Sequence, residues 1–473
     1  MTSRFGSCSL VAVLMLLILD GCGGGSKPPD STPVPTPVIH NQWMWVSGAN
    51  TANAKGMYGT QGTPASGNIP GARSYAVTWT DQSGSHWLFG GYGFDSVGID
   101  EGDLNDLWKY SGGKWTWIGG SNLKEHPGAY GTQGVAADDN IPGARYQAVG
   151  WTDPSGNLWL FGGLGIDSNG TRGHLNDLWK YSGGKWTWVS GSNTVGEYRP
   201  GVYGIKGIPA STNVPGARVD ASSWVDKAGN LWLFGGEGFD STGALGILND
   251  LWKYGDGEWT WMSGSDAINQ LGVYGTLSTP APGNVPGART NAVTWVDLSG
   301  NLWLFGGEGQ DSDGIRCQET LICELNDMWK YSAGHWAWMG GSSRAGQQGT
   351  YGTQGSPALG NIPGARWGAV AWSDSNGNFW LFGGHGLALT TSGDLNDLWK
   401  YSDGQWTWMS GANAANQTGA YGTGGADSIS MPGARDSAVG WIDSFGNLWL
   451  FGGQNFVTGA NGGKQNDLWE FRP

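Results

Sequence analysis

The chain has little charge. Asp, Glu, Lys and Arg together make up 14% of it, and 25 basic residues face 39 acidic ones, leaving a net charge of -14. A nucleic-acid binder concentrates Lys and Arg to neutralise phosphates, so nucleic acid is excluded as a partner. Long apolar runs are also missing. The longest covers residues 10–19, too short for a membrane-spanning helix. Cysteine is scarce, with four residues in 473, so no disulfide framework can carry the fold. Gly shows no period of three, which excludes collagen. Aromatics at 12% are far too abundant for a disordered chain. What remains is 87 Gly and 31 Trp, a composition that points to many short strands joined by tight turns.

The first 22 residues carry Arg4, the apolar run, and then Leu19-Asp20-Gly21-Cys22. This resembles a bacterial lipoprotein signal, with Asp20 the departing position. The resemblance implies removal of residues 1–21, including Cys8, and lipidation of Cys22. Residues 22–40 are a flexible Gly- and Pro-rich tether. Gly23 after the acceptor implies outer-membrane sorting in a Gram-negative cell. The expected location is the cell envelope, with the membrane touched only through the lipid.

From residue 41 to 473 the chain is one repeat, read as a single domain. Pro-Gly-Ala-Arg occurs six times, ending at Arg73, Arg145, Arg218, Arg289, Arg366 and Arg435. Each copy continues with a Trp-containing strand A, a D-x-x-G-N-type turn, strand B (LWLFGG), strand C (NDLWKY) and strand D (WTW). In copy two these are 146–151, 158–161, 178–181 and 186–189. Each copy uses five Trp, which accounts for 30 of the 31 and leaves Trp367 outside the plan. The repeat region opens with a lone D-type strand at 43–46 and ends on a C-type strand at 468–471. The N-terminal strand is therefore expected to complete the last sheet and remove its free edge.

The double glycine Gly162-Gly163, the Asp177-Leu178-Trp179 and Tyr181 of strand C, and Trp186 resemble the kelch repeat in all six copies. The resemblance implies an all-β, six-bladed kelch-like propeller with four strands per blade and strand A innermost. The spacing of about 72 residues exceeds the usual ~50, mostly through a longer D–A segment.

Alternating strands put the short, nearly invariant A–B and C–D turns at one end. The B–C and D–A loops, long and variable, lie at the other, where binding is expected. The six arginines and the D–A tyrosines (Tyr58, Tyr130, Tyr203, Tyr274, Tyr351 and Tyr421) recur in every copy, so they read as structural. Positions that differ between copies are the better candidates. They are Tyr146, Trp367 and Asp436 just after the arginine, and Glu237, Glu308 and His385 just after the double glycine. An acid–base set from Glu237, Glu308, His385 and Arg366 is one alternative. Asp-Ser pairs at Asp95, Asp167, Asp240 and Asp311 read as turn formers ahead of calcium ligands. Cys317 and Cys323, in one B–C loop, read as a disulfide in an exported protein.

No metal centre and no cofactor are expected. The six His form no ligand pair, and the copper chemistry of galactose oxidases would need a Tyr–Cys crosslink that these two Cys do not offer. The sequence reading favours a monomeric, non-enzymatic propeller binding a glycan or protein. A carbohydrate-active enzyme resembling the bacterial sialic-acid epimerases, or a lyase, is the alternative, and a structural envelope protein the second.

Overall fold

The computed structural model describes residues 41–473 except Glu197 and residues 315–322, 423–429 and 456–461. The signal, Cys8, Cys22, the tether and Cys317 lie outside the described residues.

All regular structure among the described residues is β. Copies one to five each contribute one antiparallel sheet with four strands in sequence order, and copy six contributes three, joined by the N-terminal strand. In copy two these are Val149–Thr152, Leu158–Ile166, Arg172–Ser182 and Lys185–Ser190. The two middle strands reach well beyond the expected 158–161 and 178–181. They keep pairing past the double glycine, where the register shifts between Leu175 and Leu178. Gly162 and Gly163 sit at that irregularity with φ of 66° and 96°, left-handed values that glycine alone adopts at little cost.

Strand A departs from expectation by being split. Arg145–Tyr146 and Val149–Thr152 pair with the same neighbour but are separate segments, because Gln147 between them takes φ 57°. The equivalent residues Tyr75, Asp220, Asn291, Gly368 and Ser437 also have positive φ. Their amides and carbonyls bond one another from copy to copy: Gln147 N–H to Tyr75 O at 3.2 Å, Asp220 to Gln147 at 3.0 Å, Asn291 to Asp220 at 3.0 Å, Gly368 to Asn291 at 3.2 Å, Ser437 to Gly368 at 2.8 Å and Tyr75 to Ser437 at 3.0 Å. The kink turns each strand's polar backbone toward its neighbours, so these buried-side groups find partners.

The N-terminal strand Gln42–Ser47 pairs antiparallel with Leu468–Arg472, Trp43 opposite Phe471 and Trp45 opposite Trp469. Six hydrophobic clusters fill the spaces between sheets. Each takes residues from two consecutive copies, and the cluster holding Trp108, Trp115, Trp441 and Phe451 joins copy one to copy six. Strand-A tryptophans add hydrogen bonds across these spaces: the Trp79 indole N–H donates to Trp159 O at 2.9 Å and Trp151 to Trp232 O at 3.0 Å. Indoles supply the large buried area that short strands with few aliphatics otherwise lack.

Every repeat arginine is buried in its own sheet. Arg145 forms a two-pronged ion pair with Asp177 at 2.6 and 2.8 Å and donates to the carbonyls of Gly143 and Gly162, each at 3.0 Å. Tyr130 Oη–H and the Trp179 indole N–H donate to the same carboxylate at 2.6 and 2.7 Å. The other five copies repeat the Arg–Asp pair. Glycine precedes the Ala-Arg of the motif for a steric reason: a Cβ on Gly143 would lie 1.8 Å from Ile166 O.

Candidate functional site

The split of strand A positions the site. The residue after each arginine pairs across the sheet with the residue after the double glycine, and that residue pairs with one on the extended strand C. Copy four sets Thr290, Glu308 and Glu324 side by side. Copy five sets Trp367, His385 and Asp394 together, and copy six Asp436, Gln454 and Lys464. Directly opposed residues on one sheet face have side chains in contact. Three neighbouring residues per copy therefore share one face of the sheet.

Copies four to six gather the titratable groups. His385 Nδ1 lies 2.9 Å from Asp394 Oδ1, and the Trp367 ring lies over the imidazole with centroids 5.3 Å apart at 31°. The hydrogen bond to Asp394 raises the His385 pKa above its ordinary value against the opposing effect of burial, helped by the charges of Asp436 and Glu324. Asp394 and Asp436 are fully buried. Burial pushes the Asp436 carboxyl up to about 7, with Asp394 adding to the rise and Ser437 and His385 opposing it. Burial also raises Glu308 and Glu324, and for Glu308 the Glu324 charge adds to the effect. Glu237 acts on Glu308 and on Asp220 only through its charge.

Copies one and two look different. Arg172 pairs with the buried Asp103 at 2.9 Å and donates to Tyr146 Oη at 3.2 Å. Tyr146 thus belongs to a satisfied ion-pair cluster, apart from Trp367 and His385. At the centre, the kink residues line a cavity of about 160 Å³. Burial raises the Asp220 carboxyl well above the usual range there, with Glu237, Glu308 and Asp436 contributing, and Gln147 Nε2 donates to Asp220 Oδ2 at 2.6 Å.

One expectation changes. Arg366 does not join Glu308 and His385, because its guanidinium is buried against Asp397, Gly364 and Gly383. The gathered set spans copies four to six, because Asp436 of copy six faces His385 of copy five. The acidic B–C turns are tied into backbone. Asp167 Oδ1 accepts the amides of Asn169 and Thr171, and its Oδ2 that of Val195, all at 2.8 Å. Cys323 is buried, and its expected partner Cys317 lies outside the described residues.

Sequence reasoning missed the third row, Asp103, His174, Ile247, Glu324, Asp394 and Lys464, and the kink row with Asp220. The kink row did leave a signal. Four of its six members are Asp, Asn, Gly or Ser, three of which suit left-handed backbone.

An all-β, Trp-rich architecture of repeated antiparallel four-stranded sheets fits a kelch-like β-propeller. No protein-family model and no curated protein matches the chain. Among solved structures it is similar to YjhT at 14% identity and TM-score 0.47, covering 87% of this chain and 95% of that one. It is also similar to a fungal alcohol oxidase solved with copper, at 11% identity and TM-score 0.45, covering 88% and 77%. Likeness at this level says nothing about chemistry.

Proposed function

We propose that residues 41–473 form one six-bladed propeller closed by the N-terminal strand, and that its B–C/D–A end binds a glycan at copies four to six. The observation that carries this reading is Trp367 lying over His385 beside Asp394 and Asp436. A half-buried indole offers a flat apolar face to a sugar ring, and the groups around it offer hydrogen bonds to hydroxyls. The surrounding carboxylates and the net charge of -14 favour a neutral or basic ligand. A glycan array probed with the full chain and with Trp367→Ala tests it. Binding to a sugar class that Trp367→Ala abolishes supports the reading. Binding only to protein segments, or equal binding by both chains, overturns it.

A second reading has its own observation. The His385–Asp394 pair at 2.9 Å is the arrangement of a general base held by a carboxylate. On this reading the same site is an epimerase or lyase acting on a bound sugar. Proton NMR of candidate sugars in D2O with the protein would show exchange at carbon or a cleaved product, and unchanged spectra would remove it.

Export and anchoring through Cys22 stay part of the proposal. Cys22→Ser is expected to leave the membrane fraction and lose acyl labelling. The Cys317–Cys323 bridge is proposed as a local brace of the copy-four loop, which mass spectrometry of exported protein would detect as the absence of free thiols.

A further inference from the structure

The sequence offers no pair of histidines, yet the fold brings one histidine and two aspartates to a point. Ligand-capable atoms of His385, Asp394 and Asp436 all lie within 4.8 Å of one another. Asp394 and Asp436 are fully buried, whereas the His385 side chain keeps 30% exposure. Asp436 is the informative member. Its Oδ1 accepts from Ser437 Oγ at 2.6 Å and from Gln454 Nε2 at 3.2 Å. Its Oδ2 is buried and has no hydrogen-bond partner. A buried carboxylate oxygen left unpaired costs free energy unless something positive meets it.

We propose that His385, Asp394 and Asp436 hold a divalent cation. One imidazole nitrogen and two carboxylate oxygens suit a first-row ion such as Zn2+ or Mn2+. Two buried carboxylates balance its charge. Metal–ligand bonds of ~2.1 Å put adjacent ligand atoms roughly 3–3.5 Å apart, and His385 Nδ1 and Asp394 Oδ1 stand near that at 2.9 Å. The surroundings support the ligands in the manner of an outer shell. Lys464 Nζ and Ser74 Oγ donate to Gln454 Oε1 at 3.0 and 3.2 Å, which turns the amide so that its NH2 holds Asp436 Oδ1. Oδ2 is left for the ion. Three protein ligands leave a coordination position open, and His385, the exposed member, lies under Trp367. This site goes beyond the glycan reading and does not depend on it.

The test is calorimetric titration of the chelator-treated full chain with ZnCl2 and with MnCl2. One equivalent of at least one ion is expected to bind. Asp436→Asn, nearly the same size, is expected to weaken it by more than about 100-fold, and His385→Gln to do likewise. Co2+ substitution is expected to give a visible absorption band that His385→Gln loses. Melting curves confirm that each variant is folded, and His385→Gln serves if Asp436→Asn is not. The proposal is overturned by no binding of either ion, or by binding that both folded variants retain at full strength, which would place the ion on other surface carboxylates.

Discussion

The interior of each sheet and the B–C/D–A end treat buried aspartates in opposite ways. Asp177 and its five equivalents each receive a two-pronged arginine, a tyrosine hydroxyl and an indole N–H. Asp436 is buried to the same degree, but it faces Asp394 and leaves one oxygen unpartnered. The first arrangement recurs in all six copies. Among the described residues the second is a fully buried aspartate in copy six alone, beside Glu324 of copy four, whose Oε2 also lacks a partner. A group that every copy satisfies serves the fold. A buried group that one copy leaves unsatisfied costs stability, and such sites are where function is found.

The sharpest way to break this contrast is to remove one carboxylate of each kind. Asp250→Ala strands Arg218 as a buried, uncompensated charge and is expected to cost about 3–5 kcal/mol. Asp436→Asn is expected to be neutral or stabilising in the presence of chelator. Urea denaturation of both variants measures this, and similar losses for the two would erase the distinction. A comparable effect is expected at the seam. Trp43 is buried against Phe382 and Phe471, with centroids at 5.1 and 5.2 Å. Trp43→Ala is expected to cost about 3–5 kcal/mol. A stability within error of the parent would mean that the N-terminal strand does not hold the last sheet.

The same contrast explains how far the sequence could be read. Interior positions recur at fixed offsets from Pro-Gly-Ala-Arg, so the strands, their order and the role of Trp43 in the last sheet were legible as arithmetic. Trp367 and His385 were legible as deviations from that arithmetic. Asp394 and Glu324 were not. They stand two residues before the Asn-Asp of strand C, an offset kept in all six copies, but that offset alone does not say what they face. Only the pairing register past the double glycine sets them opposite His385 and Glu308. The Asp436–His385 meeting was hidden for another reason, since it joins two copies and no motif spans the gap.

A pH series sharpens the comparison at intermediate cost. The Asp436 carboxyl titrates near 7 in the folded chain against an ordinary 3.8. Between about pH 4 and 7 the folded state therefore holds a proton that the unfolded chain has released, and stability falls as pH rises through that window. His385 acts in the same sense. Its raised value contributes stability that is full below its ordinary 6.5 and is lost as pH rises through the folded value. The A–B turn aspartates oppose this. Burial alone would raise Asp153, but hydrogen bonds from Asn157, Trp159 and two backbone amides hold it below its ordinary value. Such a group stabilises above the unfolded pKa and loses its contribution as pH falls. Asp436→Asn compared with the parent in chelator isolates the site. The variant is expected to gain relative stability from pH 4.5 to pH 8, by on the order of 1 kcal/mol for each tenfold difference in proton affinity between the folded and unfolded carboxyl. A difference that stays flat or runs the other way would show that the Asp436 charge is already compensated.

The smallest expected change in stability belongs to Trp367, and it separates packing from binding. The other tryptophans of strands A and C are buried between sheets. Trp367 is only half-buried, outside those clusters, with His385 as its ring neighbour. Removing it opens no closed cavity, so Trp367→Ala is expected to cost less than about 1 kcal/mol in stability, well below the ~3–5 kcal/mol of a buried indole. If the indole is the platform for a sugar, the same change is expected to weaken glycan binding by more than about 1 kcal/mol, roughly fivefold in affinity. Trp79→Ala is the control, since Trp79 is buried and donates to Trp159 O, and it is expected to lose stability heavily. Should Trp367→Ala unfold at the same urea concentration as Trp79→Ala, Trp367 is part of the core, and the asymmetry of copy five is packing.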